Sequence, residues 1–290
     1  MIVAAIAASV LIIWVVGHSY GRFLERGLAA RYRRDASGVI VGAEEIAREG
    51  TNGAAVLLIH GAGDTPQTLE RVAGELHRRG YSVVAPLLPG HGRTLADFSR
   101  HAADDWYAEV RTGYAQLREK HRWVGVVGLS MGGALSARLA ADNPDVPALV
   151  LAAPYLAMPT VGDLATRTSW LWGVLVPYVA TASSLSVLDP EARVRSLSYG
   201  AMSAAALRSL RITARRGWES LSLVRAPTLI VQSKTDNRVA SRDTVRAYEL
   251  LGSSEKSIEW ITGAGHVITV DYGWQQVASF IGDWMDSHRS

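Results

Sequence analysis

The chain contains no cysteine. Disulfide staples, thiolate metal sites and a cysteine nucleophile are therefore excluded. Its body has no long basic run with interleaved aromatics, so it lacks the footprint of a nucleic-acid binder. There is no internal repeat and no low-complexity tract. A dinucleotide-binding reading also fails. Gly61-Ala62-Gly63 begins like G-x-G-x-x-G, but Pro66 stands where the third glycine belongs. What remains is a 290-residue chain with 48% hydrophobic and 20% charged residues and a net charge of +3. That suits one large α/β domain or two small ones, with a sizeable core.

Charge is also missing from residues 1–16, Met-Ile-Val-Ala-Ala-Ile-Ala-Ala-Ser-Val-Leu-Ile-Ile-Trp-Val-Val, and Gly17 extends the run. A membrane span needs about 20 apolar residues, so this run is at the short end. Trp14 and Tyr20 suit an interface. A cleavable signal peptide is the competing reading. It wants a basic start and a small-x-small cleavage site. No Lys or Arg precedes Arg22, and no good site follows the run. Residues 1–20 are therefore expected to be an uncleaved anchor, and 21–52 a basic juxtamembrane segment with a first strand. Arg22, Arg26, Arg31, Arg33 and Arg34 place the body on the cytoplasmic side by the positive-inside rule, where they would meet anionic headgroups. Export after cleavage is the alternative.

Beyond residue 53 apolar runs alternate with helical periodicity. Strands are expected at 54–59, 81–85, 124–127, 148–152, 228–232 and 257–261, and a first strand and turn within 39–52. Helices are expected at 67–79, 106–120, 242–251 and 274–288, with one more starting through residue 134. This alternation implies a mostly parallel, doubly wound sheet with its site at the C-terminal strand ends. Residues 155–222 break the rhythm. They carry an apolar patch at 170–179 and Ser- and Ala-rich helical material from 198 to 222. That is too long for a plain loop, so an inserted lid is expected.

The centre of the pattern is Gly128-Leu129-Ser130-Met131-Gly132, a G-x-S-x-G elbow between an apolar strand and an alanine-rich helix. A serine lifted above a sheet needs a strained turn. Glycine two places to either side lets strand and helix backbones approach. Ser130 is the candidate nucleophile. An alcohol needs an adjacent base, and His266, in a glycine-rich turn after the last strand, is free to reach across. His60 and His91 lie on the same face, but each precedes a glycine in a stretch that reads as backbone shaping. Asp236, after the strand 228–232, is the candidate to orient the imidazole. Asp243 is its rival but falls within the next helix, and Asp271 suits a turn or a supporting contact. The oxyanion needs two donors, expected from the backbone N–H groups of Met131 and Ala62.

His-Gly-Ala-Gly, Pro-Gly-His-Gly, Gly-Leu-Ser-Met-Gly-Gly, the Asp236 loop and Gly-His-Val together resemble the α/β-hydrolase fold. They are similar, more narrowly, to the bacterial carboxylesterase and monoacylglycerol-lipase group. The resemblance covers about residues 53–286 and makes 53–290 a hydrolase domain with its lid at about 155–222. Ala62 departs from it, since relatives often carry a bulky aromatic there, which implies a wider acyl pocket. The expected function is a serine hydrolase of carboxylic esters acting through an acyl-enzyme, with no cofactor and no metal. Lid and anchor point to lipid-derived esters such as monoacylglycerols or lysophospholipids. Thioester or amide hydrolysis and acyl transfer use the same triad and stay open. A non-catalytic, membrane-tethered scaffold is the alternative of another class. No nucleic-acid partner is expected, and the oligomeric state is left open.

Overall fold

The apolar runs become strands because they are covered on both faces. In the computed structural model, which describes residues 1–158, 160–181 and 185–289, alternate residues of strand β2 (Ala55–Ile59) enter two different cores. Ala55, Leu57 and Ile59 face one, and Val56 and Leu58 the other. Full burial of each leucine is worth roughly 1.5–3 kcal/mol, which offsets the cost of about 1–2 kcal/mol for ordering its own backbone.

In chain order the elements are helix α1 (Ile2–Arg31), strand β1 (Ile46–Arg48), β2, helix α2 (Glu70–Arg78), β3 (Ser82–Ala85), α3 (Leu95–Arg100), α4 (Ala103–Lys120), β4 (Val124–Leu129), α5 (Met131–Asp142) and β5 (Leu149–Ala152). Then come α6 (Thr160–Arg167), α7 (Ser169–Trp172), β6 (Tyr178–Ala180), α8 (Pro190–Arg195), β7 (Ala201–Ser203) and α9 (Ala204–Ser220). The sheet resumes with β8 (Thr228–Ser233), α10 (Ser241–Leu250), β9 (Lys256–Ile261) and α11 (Trp274–Ser287). Seven strands pair in the order β1-β3-β2-β4-β5-β8-β9. All neighbours are parallel except β1, which runs antiparallel to β3 at one edge. This is the α/β-hydrolase fold, with its mostly parallel sheet.

Several expectations need correction at their ends. The helix expected at 67–79 opens with a 3-10 turn at Pro66–Leu69, because Pro66 sets the first turn. A helix the periodicity did not reveal, α3, is capped by Thr94, whose hydroxyl accepts from Asp97 N–H at 3.0 Å. Helix α4 begins at Ala103 rather than 106, with the Asp105 carboxylate accepting from Ala102 N–H at 2.8 Å. The elbow helix begins at Met131, directly after the serine. Within 39–52 only Ile46–Arg48 is strand, because Gly38 and Gly42 turn the chain at φ +82° and +92°.

The stretch between β5 and β8 is helical but not wholly so. Strands β6 and β7 form a two-stranded ribbon beside the main sheet, and β7 leads directly into α9. At the N-terminus, α1 is one helix through the basic residues as far as Arg31, with no break at residue 20.

Candidate active site

The turn between β4 and α5 is set by what glycine allows. A methyl group on Gly128 would stand 2.2 Å from the Gly132 carbonyl oxygen, and one on Gly132 would stand 2.0 Å from the Ile59 carbonyl oxygen. Strand, helix and the neighbouring β2 thus meet backbone to backbone. Ser130 between them has φ 56° and ψ −117°, a conformation that L-residues avoid. Its N–H donates to Ala152 O, and its own carbonyl accepts from Gly133 N–H and Tyr155 N–H, each at 2.9 Å. The strained turn is therefore held from both sides, and the hydroxyl is presented at the head of α5.

The structure brings Ser130, His266 and Asp236 together from three separate loops. His266 Nε2 lies 2.8 Å from Ser130 Oγ, and His266 Nδ1 lies 2.9 Å from Asp236 Oδ2. A carboxylate only accepts, so the imidazole proton sits on Nδ1, and Nε2 is left to receive the serine proton. Burial works against the Asp236 charge. The hydrogen bond and positive field of His266, with the N–H groups of Arg238 and Val239 at 2.7 and 2.9 Å, outweigh it and hold the carboxyl below its usual range. The loop carrying His266 is pinned in turn. Its N–H donates to Ser186 O at 2.8 Å, and buried Asp271 accepts from the N–H groups of Gly265, Leu188 and Asp189. Asp271 is thus a supporting contact. Asp243 lies on α10, with its carboxylate 3.9 Å from Arg242 Nε, and is not brought to His266.

The loop expected to supply an oxyanion donor is shaped by His60. Its Nδ1–H donates to the Gly61 carbonyl at 2.8 Å, and its Nε2 accepts from Leu88 N–H at 3.1 Å. These two bonds demand a neutral ring, and burial pushes the imidazole down to about 4. In a trans peptide the C=O and N–H point in opposite directions. Fixing the Gly61 carbonyl therefore fixes the direction of the Ala62 N–H, on a residue that lines the same cavity as Ser130. Neither Ala62 N–H nor Met131 N–H has a protein partner among the described residues. His91 sits edge-on to His60 at 4.9 Å between ring centroids, buried and packed on Phe98 and Trp106. Both histidines shape backbone and core.

Above Ser130 lies a cavity of about 370 Å³, within the range of small-molecule sites. Much of its wall is apolar and comes from the stretch between β5 and β8: Met158, Ala165, Val187, Met202, Leu207 and Leu210. A serine–imidazole–carboxylate chain beneath such a wall can transfer acyl groups.

The family described as serine aminopeptidase S33 (Hydrolase_4) matches residues 50–272. The chain belongs to this family. The thermostable monoacylglycerol lipase of Bacillus sp. strain H-257 is 32% identical over 235 residues, which cover 81% of this chain and 90% of the relative. The carboxylesterase of Bacillus subtilis strain 168 is 25% identical over 219 residues, covering 75% and 86%. Among solved structures, one of the metagenome-derived lipolytic enzymes LipS and LipT superposes with a TM-score of 0.78 at 25% identity, covering 85% of this chain and 98% of that one. The matched range of this hydrolase family contains Ser130, Asp236 and His266.

Two residues of the site escaped the sequence reading. Asp64, just past His-Gly-Ala-Gly, lines the cavity, and burial pushes its carboxyl up to about 6 against the opposing pull of His266 and a hydrogen bond from Ser198. A polar residue in a glycine-rich turn gives no sign that it will be buried. Ala153 has φ 43° where β5 ends, and its N–H donates to Val231 O. Nothing in an alanine announces such strain.

Proposed function

We propose that this hydrolase cleaves lipid-derived carboxylic esters, such as monoacylglycerols or lysophospholipids, through Ser130, His266 and Asp236. The observation that carries the reading is the 2.8 Å and 2.9 Å chain Ser130–His266–Asp236 beneath an apolar cavity wall. Ser130 Oγ attacks the ester carbonyl carbon while its proton passes to His266 Nε2. The new C–O bond leaves a tetrahedral oxyanion, held by the N–H groups of Ala62 and Met131. Collapse breaks the bond to the alcohol, which leaves with the proton from Nε2. Water then gives its proton to His266 and attacks the acyl-enzyme, and the acid departs as the proton returns to Ser130. Asp236 keeps the productive tautomer and stabilises the imidazolium.

Residues of about 155–222 act as the lid, and α1 acts as an uncleaved membrane anchor with the body on the cytoplasmic side. The relatives named as a monoacylglycerol lipase and a carboxylesterase support an ester substrate. The family description names a peptidase, so the amide reading is the one to test. The purified chain would be offered a decanoyl group as monoacylglycerol, thioester and anilide. Turnover dependent on Ser130 and fastest on the glycerol ester supports the proposal. Preference for the anilide, or for an aminoacyl anilide, contradicts it.

A further inference from the structure

Helix α1 does not simply lead into the body; it is docked on the lid. Among its described residues only Gly17 and Gly21 are buried. Both are notches. A methyl on Gly17 would lie 2.3 Å from the Leu175 carbonyl oxygen and 3.2 Å from Val176 Cα. One on Gly21 would lie 2.9 Å from Pro177 Cγ and 3.2 Å from Tyr178 Cδ2. One turn further on, Tyr178 OH donates to Glu25 Oε1 at 2.9 Å. At the end of α1, Arg31 Nη2 donates to Ser196 O, and Tyr32 OH lies 3.1 and 3.0 Å from the Ser196 and Ser198 carbonyl oxygens. Ser196 and Ser198 line the cavity above Ser130. The helix therefore touches the lid at several levels and ends on the wall of the site.

The register carries a direction. Residues 17, 21 and 25 are one helical turn apart, about 6 Å each, and they meet residues 175–176, 177–178 and 178 in that order. The lid chain here runs alongside α1 in the same sense. Immediately before residue 175 the lid exposes Val174, Leu171 and Trp170 at 69%, 56% and 69% of their surface. Leu164 on α6 is 64% exposed, while Ala165 and Thr166 on the same helix line the cavity. Residues 2–16 of α1 project beyond the Gly17 contact, a length of about 22 Å at 1.5 Å per residue. Every one of these residues is exposed, which a bilayer would cover.

We propose that α1 is a strut. Gly17 and Gly21 clamp residues 175–178 at the level where the apolar run ends, so that insertion of α1 holds Leu164, Trp170, Leu171 and Val174 against the lipid surface. The occupant of this exposed patch is the bilayer, because the patch is continuous with a helix that a bilayer must cover. The proposal rests on the anchor reading of α1. It adds that Gly17 and Gly21 are positioning residues that set the depth of the lid.

The absence of cysteine makes the test direct. Val174→Cys in the full chain takes an environment-sensitive fluorophore at a single site, and Val245→Cys on α10 is the control. Each is bound to vesicles of phosphatidylcholine and phosphatidylglycerol, with doxyl-labelled lipid as quencher. The label at 174 shifts to the blue and is quenched, and the label at 245 does neither. Adding Gly17→Leu and Gly21→Leu leaves the chain floating with the vesicles but frees the label at 174 from quenching. Hydrolysis of vesicle-embedded monoacylglycerol falls more than that of detergent-dispersed substrate. Fluorophosphonate labelling of Ser130 reports the fold of the variant. If labelling is lost, Gly21→Ala gives the same comparison at smaller amplitude, since its methyl meets only side-chain atoms. A label at 174 that stays in water on floating vesicles overturns the lipid contact, and quenching unchanged by the glycine variants overturns the strut. A wild-type chain that does not float overturns the anchor reading, which separates that failure from the other two.

Discussion

The elbow and helix α6 are built on opposite terms. Around Ser130 the backbone leaves no room: methyl groups on Gly128, Gly132 and Gly133 would meet neighbours at 2.2, 2.0 and 2.8 Å. On α6, a methyl on Gly162 would find its nearest neighbour at 3.4 Å, the flexible Met158 side chain, and Leu164 faces outward. The first region holds a strained serine in one geometry, which the proposed reaction would use. The second has room at Gly162, beside Ala165 and Thr166 of the cavity lining, which under the proposed function would meet the acyl group. Under the proposed function, reaction and acyl-chain selection would fall in regions of different packing.

Experiments can break this comparison. Ser130→Ala should lower kcat by about 10⁶-fold while leaving the thermal midpoint within a few degrees, read by ester hydrolysis and calorimetry. Asp236→Asn should lower kcat by about 10⁴-fold, because the amide lets the imidazole take the wrong tautomer. Gly132→Ala should destabilise the fold by about 4 kcal/mol or more, since the clash is with backbone and nothing there can yield. Gly162→Ala, its counterpart on α6, should change stability by less than about 1 kcal/mol, in the stabilising direction expected of alanine in a helix. Equal effects of the two glycine changes in chemical denaturation would erase the distinction.

Asp64 sharpens the comparison by pH. Its carboxyl holds a proton more tightly in the folded state, with a pKa of about 6 against an ordinary 3.8. Stability that is present near pH 4 is therefore lost as pH rises through 6. Asp64→Asn should remove that loss, gaining about 2–3 kcal/mol at pH 8 and little at pH 4. Denaturant midpoints at the two pH values check the sign. A gain at pH 4 that disappears at pH 8 would reverse the argument.

The sheet was legible because buried parallel strands read as unbroken apolar runs, and the elbow because its glycines are demanded by sterics at fixed spacing. Asp236 and His266 followed from their places after strands β8 and β9. What stayed hidden depends on distant partners. Asp64 is perturbed by burial in the cavity, and Ala153 takes its positive φ where its N–H bonds to Val231 of β8. Helix α3 and strand β7 are too short for a periodic signal. Gly17 read only as the tail of an apolar run. Its role as a notch appears once Leu175, far along the chain, is seen against it.

Under the proposed function Ser130 serves a lipid-like acyl group. The most direct test measures kcat/KM of the full chain and its Ser130→Ala variant on monoacylglycerols from acetyl to octadecanoyl. The rate is expected to peak at medium or long chains, and the peak to vanish in the variant. A maximum at acetyl or butyryl, or turnover that survives the loss of Ser130, would contradict it.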